Sequence, residues 1–332
     1  MVKVAVIGAG TMGAVHSEAY TKIGNTELVG IVDIREEVGR SVADKNNTNY
    51  YSSFEDLLEQ EEVEVVDICV PTYLHRTFVE QAARAKKHII CEKPIARTLD
   101  DAKAMIDICK REEVQLYIAQ VLRFFPEFKK IHELIVSEKV GKIGTVRTMR
   151  GGVFPTAWED WYANVEKSGT LIVDMIIHDF DFLRWSFGEV ERVFAKSQLG
   201  RDFSRMDHAL VSLRFQNGVI AHVEGTWAYP SGFRTELEVA GENGIIHHNS
   251  DESVPIKLSL RQSGNVQTGV AVPESPLKVG PYQKELEHFI ACIENKAEPI
   301  VTAEDGLKAL EISLAALESV TSGQPVFLKR GE

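Results

Sequence analysis

Two places in this sequence combine the residue types and the positions needed to transfer a proton. Asp174 and His178 lie four residues apart in a stretch, residues 171–185, whose pattern predicts one helix, so both side chains share a helix face. Histidine is the usual proton acceptor near neutral pH, and a neighbouring carboxylate can orient its ring. Lys93 follows a predicted strand end, where open α/β sheets bind their ligands. From these residues alone, a capped helix pair and a surface lysine remain open alternatives.

A glycine-rich turn near the start of the chain could bind a dinucleotide. Gly8, Gly10 and Gly13 give the spacing G-x-G-x-x-G between an apolar, β-branched strand (residues 2–7) and a predicted helix. The spacing allows a tight turn, a close approach of pyrophosphate to the backbone, and close packing of helix on strand. The N–H groups at the helix start would then face the phosphates.

The residue that ends the next predicted strand supports this interpretation. Asp33 follows residues 27–32, where a carboxylate can accept hydrogen bonds from both hydroxyls of the adenosine ribose. It would repel a 2′-phosphate, which favours NAD over NADP. Arg35 could pair with such a phosphate, so the use of NADP stays open.

The composition narrows the classes of protein and partner. The chain has 332 residues, with 37 basic and 49 acidic side chains and a formal charge of −12, which argues against nucleic acid and anionic membranes as partners. No apolar run approaches the length of a membrane span. The cysteines are scattered without a C-x-x-C pair, so we expect a cytoplasmic protein without a metal site; they are Cys69, Cys91, Cys109 and Cys292.

The elements that must position these residues fall into two patterns. Strands and helices alternate through residues 1–120, which is typical of a parallel, doubly wound sheet. Residues 121–332 instead hold sequential strands joined by short turns, which predict a largely antiparallel sheet with flanking helices. Residues 261–281 are predicted to form an irregular loop. We therefore predict an α/β fold of two domains, with the boundary at residue 120.

Taken together, the motifs resemble the Gfo/Idh/MocA oxidoreductases, a family that includes glucose–fructose oxidoreductase and inositol dehydrogenases. The similar segments span nearly the whole chain: GAGTMG at 8–13, CVPTYLH at 69–75, CEKPIA at 91–96, RFFP at 123–126, VGKIGTV at 140–146 and SGTLIVDMIIHDFDFLRW at 168–185. The resemblance implies an N-terminal Rossmann domain for NAD or NADP. It also implies a C-terminal α/β domain with a large, mostly antiparallel open sheet that binds substrate and often forms dimers or tetramers.

The resemblance also implies roles for particular residues. Lys93 would contact the substrate hydroxyl and nicotinamide ribose, His178 would be the acid/base, and Asp174 would orient His178 or share the hydroxyl. Glu92 would brace the lysine, and the Lys93–Pro94 bond is frequently cis in such proteins. The predicted cofactor-binding residues are Gly8, Gly10, Thr11, Met12, Gly13, Asp33, Arg35, Pro71, Thr72, His75, Glu92, Lys93 and Gln120.

For the substrate, the resemblance points to a sugar, a sugar derivative or a cyclitol. The predicted substrate contacts are Arg123, Phe154, Trp161 and Asp181. Leu122 and Phe154 replace an arginine and an asparagine of the inositol enzymes, which argues against myo-inositol itself. We therefore predict oxidation of a secondary hydroxyl by hydride transfer in a homodimer or homotetramer. Redox-assisted glycoside cleavage and a non-catalytic NAD-binding sensor or co-regulator are the alternatives.

Overall fold

The structure is a computed structural model, and it describes residues 1–198, 207–251 and 279–328. The described chain forms two compact units. Most of the loop predicted at residues 261–281 lies outside the described residues.

The first unit contains the parallel sheet that the sequence predicts. Its six strands are β1 (Val2–Ile7), β2 (Thr26–Val32), β3 (Asn49–Tyr51), β4 (Val65–Ile68), β5 (His88–Glu92) and β6 (Leu116–Ala119). They lie in the order β3-β2-β1-β4-β5-β6, and every neighbouring pair is parallel. The order reverses between β1 and β4, and the carboxyl ends at such a reversal are where doubly wound sheets bind ligands.

Helices alternate with these strands. They are α1 (Thr11–Tyr20), α2 (Glu36–Lys45), α3 (Phe54–Gln60), α4 (His75–Arg84) and α5 (Leu99–Arg111), with short 3₁₀ turns at Thr72–Leu74 and Val121–Phe124. Ser53 and Thr98 cap α3 and α5 by accepting the backbone N–H three residues ahead, at Asp56 and Asp101. The α/β alternation predicted for residues 1–120 is confirmed.

The two units divide the chain differently from the predicted domains. The first unit takes residues 1–124 together with residues 279–307, and the second takes the described parts of residues 125–273 and 308–332. Helix α10 (Pro281–Ile293) contributes Leu286, Phe289 and Ile290, all fully buried, to the same core as Val4 and Val6. A boundary at residue 120 therefore omits a late segment that completes the first core.

The second unit is built on a mixed sheet in the order β12-β11-β7-β10-β9-β8-β13. Its strands are β7 (Ile143–Val153), β8 (Val190–Gln198), β9 (His208–Phe215), β10 (Ile220–Thr226), β11 (Ala228–Gly241), β12 (Gly244–Asn249) and β13 (Val326–Phe327). The sheet is mostly antiparallel, as predicted, but β7 and β10 pair in parallel. Their carboxyl ends therefore lie at the same edge.

Helices cover one face of this sheet. They are α6 (Pro126–Val136), α7 (Val165–Ser168), α8 (Thr170–Asp174) and α9 (Ile177–Phe187), with a 3₁₀ segment at Trp158–Ala163; α11 (Ala303–Ser322) begins in the first unit and ends in the second. Along β9, Ala209, Val211 and Leu213 are buried while Leu210 between them is 59% exposed. This alternation gives the sheet one packed face and one open face.

Candidate active site

The turn between β1 and α1 shows why glycine occupies the predicted positions. Gly8 has a φ of +97°, and a Cβ there would lie 2.6 Å from the backbone oxygen of Cys69. A Cβ at Gly13 would lie 1.7 Å from the carbonyl oxygen of Gly8, so only glycine lets α1 pack this closely. At Gly10 an added Cβ meets no described atom within 4 Å. The first and third glycines serve packing, and the second leaves open space at the start of α1.

The amino end of α1 suits an anionic ligand. Gly10 is the N-cap and has no side chain that could cap the first turn, which holds Thr11 and Met12. The first N–H groups of a helix have no partner within the helix, and its dipole favours negative charge at this end. A ten-residue helix behind a glycine turn therefore fits the pyrophosphate of a dinucleotide.

Asp33 lies at the end of β2, beside this turn. Its Oδ2 accepts the backbone N–H of Ala9 at 2.7 Å and Nη2 of Arg35 at 2.7 Å. Its Oδ1 accepts the backbone N–H and Nε of Arg35 at 2.8 and 2.9 Å. Burial opposes ionisation of Asp33, but the hydrogen bonds from Arg35 and Ala9 outweigh it and lower the pKa of this carboxyl. Asp33 is thus an ionised acceptor where ribose hydroxyls are expected, with Arg35 folded onto it.

Lys93 follows β5 in a turn held by its neighbours. Its backbone N–H donates to Oε2 of Glu92 at 3.0 Å, and the Lys93–Pro94 peptide bond is cis. Glu92 is nearly buried, with 10% of its side chain exposed. The carboxylate of Glu92 therefore fixes the backbone that carries Lys93.

His75 supports the same turn from the other side. Its Nδ1 lies 2.9 Å from the Pro94 carbonyl oxygen and its Nε2 lies 3.0 Å from that of Val70, and the residue is 1% exposed. Burial lowers the pKa of His75 although the backbone carbonyls favour its charged form. We predicted cofactor binding for Pro71, Thr72 and His75; in this geometry His75 braces the loop, and both ring nitrogens already face protein carbonyls.

Gln120 follows β6 and offers an unused amide. The residue is fully buried, and neither its Nε2 nor its Oε1 has a hydrogen-bond partner among the described residues. A buried amide without partners is costly to the folded protein, so such a group points to a ligand. The residues Gly10, Asp33 and Gln120 follow β1, β2 and β6, whose carboxyl ends lie at one edge of the sheet. The open space at Gly10, the carboxylate of Asp33 and the amide of Gln120 together fit a nicotinamide dinucleotide.

Asp174 and His178 lie in the second unit. The prediction of one continuous helix over residues 171–185 is wrong in one respect. The backbone N–H groups of both Met175 and Ile176 donate to the Leu171 carbonyl, at 3.0 and 3.1 Å. The bond from Ile176 spans five residues instead of four, so the helix widens here and divides into α8 and α9. Asp174 ends α8 and His178 lies in the first turn of α9. Regular four-residue spacing therefore does not describe this pair.

The junction between α8 and α9, at Met175 and Ile176, packs against the sheet at a glycine; we call it the joint. A Cβ on Gly225 in β10 would lie 2.5 Å from Cγ2 of Ile176 and 3.3 Å from Cδ2 of Leu171. Glycine at this position lets the joint approach the sheet backbone closely. The sheet thus determines where the joint, and with it the start of α9, lies.

A buried ion pair anchors the first turn of α9. Nε of Arg150 in β7 donates to Oδ2 of Asp179 at 2.6 Å, and each residue is 3% exposed. Asp179 directly follows His178, so this pair fixes the backbone that carries the histidine. Phe233 covers the guanidinium, with its ring centroid 5.7 Å from Cζ.

Removing only Arg150 is expected to destabilise the protein strongly. Arg150→Met leaves Asp179 buried without its partner, which typically costs about 3–5 kcal/mol. The double variant Arg150→Met/Asp179→Leu removes both charges and should recover most of the loss, because the desolvation cost disappears with them. Urea unfolding of the three proteins measures these values. An Arg150→Met protein as stable as the original would show that the pair does not anchor α9.

The predicted substrate residues of the second unit differ in position: one lies near an edge of the sheet and two are buried. Phe154 follows β7 and packs against Trp227, which follows β10, at a centroid distance of 5.0 Å. Trp161 stacks on Tyr162 at 3.9 Å and is 7% exposed. Asp181 lies in α9 and is 1% exposed. The structure brings Phe154 near the shared edge of β7 and β10, and it buries Trp161 and Asp181.

Arg123 has a structural partner in the first unit. Its Nη1 donates to the Ile300 carbonyl at 2.8 Å, and its Nη2 lies 3.3 Å from Oδ1 of Asp305. The residue is 3% exposed. These bonds support a structural role, and contact with substrate stays a prediction for Arg123.

Sequence reasoning missed several buried polar residues that support the site. Arg150 and Asp179 carry the anchor of α9, and His16 and Asp67 lie fully buried behind the glycine turn. The signal for Asp67 was available, because a carboxylate in the middle of the apolar run VEVVDICV must have a buried partner. Arg150 showed no such signal, since a charged residue in a predicted half-exposed strand is ordinary.

Two family models cover most of the chain. Residues 2–120 match the oxidoreductase family model with the NAD-binding Rossmann fold. Residues 132–328 match the model of the C-terminal alpha/beta domain of the same oxidoreductase family. The chain belongs to the Gfo/Idh/MocA oxidoreductases. Membership of this family confirms the predicted α/β fold, the NAD-binding Rossmann domain and an oxidoreductase activity.

Relatives within the Gfo/Idh/MocA family match along their full length. Myo-inositol 2-dehydrogenase of Thermotoga maritima is 30% identical, with 98% of each chain covered. scyllo-Inositol 2-dehydrogenase (NAD(+)) of Bacillus subtilis is 26% identical, with 98% of this chain and 96% of that one covered. A solved structure of a probable dehydrogenase from Thermotoga maritima is 30% identical with a TM-score of 0.85, covering 98% of both chains. Other relatives include D-xylose 1-dehydrogenase (NADP(+)) 2 of Haloferax volcanii, so both nicotinamide cofactors occur among them.

Within the residues that the structure describes, no helix has the length and hydropathy needed to cross a bilayer.

Proposed function

We propose that this protein oxidises a secondary hydroxyl of a sugar, a sugar derivative or a cyclitol. The observation that carries the proposal is the full-length similarity to two inositol dehydrogenases, which covers at least 96% of each chain. The bound nicotinamide ring would accept the hydride from the carbon that carries the hydroxyl. The protein's own residues then have to handle the proton and the developing charge on oxygen.

Three side chains are proposed to perform this chemistry. His178 accepts the hydroxyl proton as the general base. Asp174 orients the imidazole or shares the hydroxyl. Lys93 stabilises the negative charge that develops on the substrate oxygen, a role of fixed charges that is worth several kcal/mol. The anchored start of α9 and the braced turn after β5 support these assignments, because each holds one of these residues on a rigid backbone.

The side chains proposed to contact substrate are Arg123, Phe154, Trp161 and Asp181. Phe154 offers an aromatic face, which suits the apolar face of a sugar ring. Because Phe154 replaces an asparagine of the inositol enzymes, we propose a substrate other than myo-inositol.

A substrate screen tests the function. Purified protein with NAD is expected to form NADH, detected by absorbance, with at least one member of a panel of aldoses, sugar acids, amino sugars and inositols. The reverse direction is screened with the matching ketones and lactones and NADH. Full binding of NAD without turnover on any panel member in either direction would contradict the proposal and favour a sensor.

The arrangement of Asp33 and Arg35 leads to a prediction about the cofactor. NAD is expected to bind more tightly than NADP, because the Asp33 carboxylate accepts ribose hydroxyls and repels a 2′-phosphate; a difference of about 1.4 kcal/mol is tenfold in Kd. Arg35→Ala should weaken NADP binding further and change NAD binding less, since only the phosphate needs the guanidinium. Calorimetric titration with both cofactors measures this. Tighter binding of NADP, lost in Arg35→Ala, would reverse the assignment.

We also propose that the protein is a homodimer or homotetramer in the cytoplasm. The open face of the second sheet presents Leu210 and Ile245, which are 59% and 64% exposed. These two residues lie on strands β9 and β12, at separate places on the face, so the support for the proposal is the family resemblance, which implies dimer or tetramer contacts through this open sheet. All four cysteines of the chain are free thiols, which supports a reducing compartment.

A further inference from the structure

A buried polar cluster lies behind the glycine turn, where three elements of the first unit meet. His16 belongs to α1, Asp67 to β4 and Glu92 to β5. Nδ1 of His16 lies 2.9 Å from Oδ2 of Asp67, and Nε2 of His16 lies 3.3 Å from Oε1 of Glu92. His16 and Asp67 are both 0% exposed. The imidazole thus bridges two carboxylates on neighbouring strands.

The same carboxylate of Glu92 reaches the backbone of Lys93. Oε1 of Glu92 faces His16, and Oε2 accepts the Lys93 N–H at 3.0 Å. A carboxylate held at both oxygens cannot rotate without losing a contact. The series of contacts from Asp67 through His16 and Glu92 therefore ends at Lys93, the residue proposed to stabilise the substrate oxygen.

We propose that His16 is a positioning residue that orients Glu92 and thereby holds Lys93 in its working position. This inference rests on the proposed function, in which Lys93 contacts the substrate oxygen. His16 itself touches neither substrate nor cofactor in this proposal. Its effect passes through the carboxylate of Glu92.

The charge on His16 depends on its burial and on the titratable groups that surround it. Burial alone would lower the pKa of His16, but the adjacent Cys69 and Asp67 outweigh burial and raise that pKa well above its usual value. Burial and the nearby acidic groups raise the pKa of Cys69, and burial with Asp67 raises that of Tyr20, so the Tyr20 hydroxyl stays protonated. From α10, the Tyr282 ring lies 6.4 Å from the imidazole and buried Glu285 adds negative charge near Tyr20. A protonated ring can donate to Asp67 through Nδ1, while its Nε2 lies at ion-pair distance from Glu92.

A bound metal ion is the other interpretation of these donors. One atom each from His16, Asp67 and Cys69 lies within 4.8 Å of the others. However, Oδ2 of Asp67 already accepts from His16 at 2.9 Å and from the Tyr20 hydroxyl at 2.8 Å. These are hydrogen-bond distances, and they account for Nδ1 of His16 and for Oδ2 of Asp67 without an ion. Stoichiometric zinc in the purified protein would overturn the positioning role.

Two substitutions separate the two contacts of His16. The side-chain amide of Asn takes the place of Nδ1, so His16→Asn can keep the bond to Asp67 but cannot reach Glu92. The amide of Gln takes the place of Nε2, so His16→Gln keeps a donor toward Glu92. His88→Asn is the control, since His88 lies at the opposite end of β5 from Glu92, where its Nδ1 accepts the Gln115 N–H at 3.1 Å.

We expect His16→Asn to lower kcat by about 10–100-fold, the cost typical of misplacing a catalytic group slightly. His16→Gln should keep most of the activity, and His88→Asn should leave kcat unchanged. Without any ligand, amide hydrogen exchange at Lys93 should be faster in His16→Asn than in His16→Gln, because Glu92 no longer holds that N–H. Melting temperatures are measured for all variants.

The outcomes distinguish this inference from the proposed function. The positioning role would be overturned if His16→Asn and His16→Gln lost kcat equally and in proportion to their losses of melting temperature. Unchanged kcat and Lys93 exchange in His16→Asn would also overturn it, provided that Lys93→Ala is inactive. A fully active Lys93→Ala protein would instead refute the proposed function.

Discussion

Replacing His178 by alanine is expected to lower turnover by about 10²–10⁴-fold, the contribution typical of a positioned general base. NAD binding should change little, because the glycine turn and Asp33 are the residues predicted to hold the cofactor. The rate of oxidation by the unaltered protein should rise with pH, since only the neutral imidazole accepts a proton. In His178→Ala the rise of kcat with pH that comes from deprotonation of this imidazole should be absent.

Two further variants show whether the loss is catalytic. Asp174→Asn should cost less than His178→Ala, because α9 still carries the imidazole and only its neighbouring charge is removed. His132→Ala is the control; its ring stacks on Trp185 of α9 at 3.5 Å, so its loss should lower the melting temperature but not kcat. A stable His178→Ala protein that keeps nearly full activity would end the proposal.

Replacing Lys93 by alanine is expected to reduce kcat by about 10²–10³-fold, as happens when one donor to a developing oxyanion is removed. The Kd for NAD should stay within about tenfold, since the pyrophosphate is predicted to bind at the amino end of α1, next to Gly10. Steady-state kinetics and calorimetric titration of NAD measure the two effects separately.

The matched control for this experiment is Lys87→Ala. Lys87 directly precedes β5, at the end of the strand opposite to Lys93, so this change removes one lysine charge without touching the braced turn. We expect kcat and NAD binding of this control to stay unchanged. Loss of NAD binding in a folded Lys93→Ala protein would contradict the division of roles between the lysine and the glycine turn.

The parts of the molecule governed by local rules could be predicted from the sequence. The glycine spacing, the carboxylate at the end of β2 and the alternation of strands and helices each follow from a few neighbouring residues. The divided helix could not be predicted in this way, because residues 171–185 keep an apolar helical pattern throughout. Its widening at Ile176 accompanies close packing on Gly225, which lies about fifty residues further along the chain.

The division into units could not be predicted for a related reason. Leu286, Phe289 and Ile290 show the spacing of a helix with one apolar face, which predicts that α10 is buried on that side. The spacing does not say which surface α10 covers. Only the folded chain shows that α10 completes the core under the parallel sheet of the first unit.

That shared core has a consequence for how the protein is made. Val301, which is fully buried, belongs to the same core as Val4 and Tyr117. During synthesis at about 5–20 residues per second, roughly 10–40 s pass between the emergence of β6 and that of Val301. Throughout this interval the nascent parallel sheet lacks the helix that covers part of its apolar surface. The ribosome-bound chain therefore exposes a surface suited to chaperone binding, and a fragment ending at residue 120 would expose it permanently.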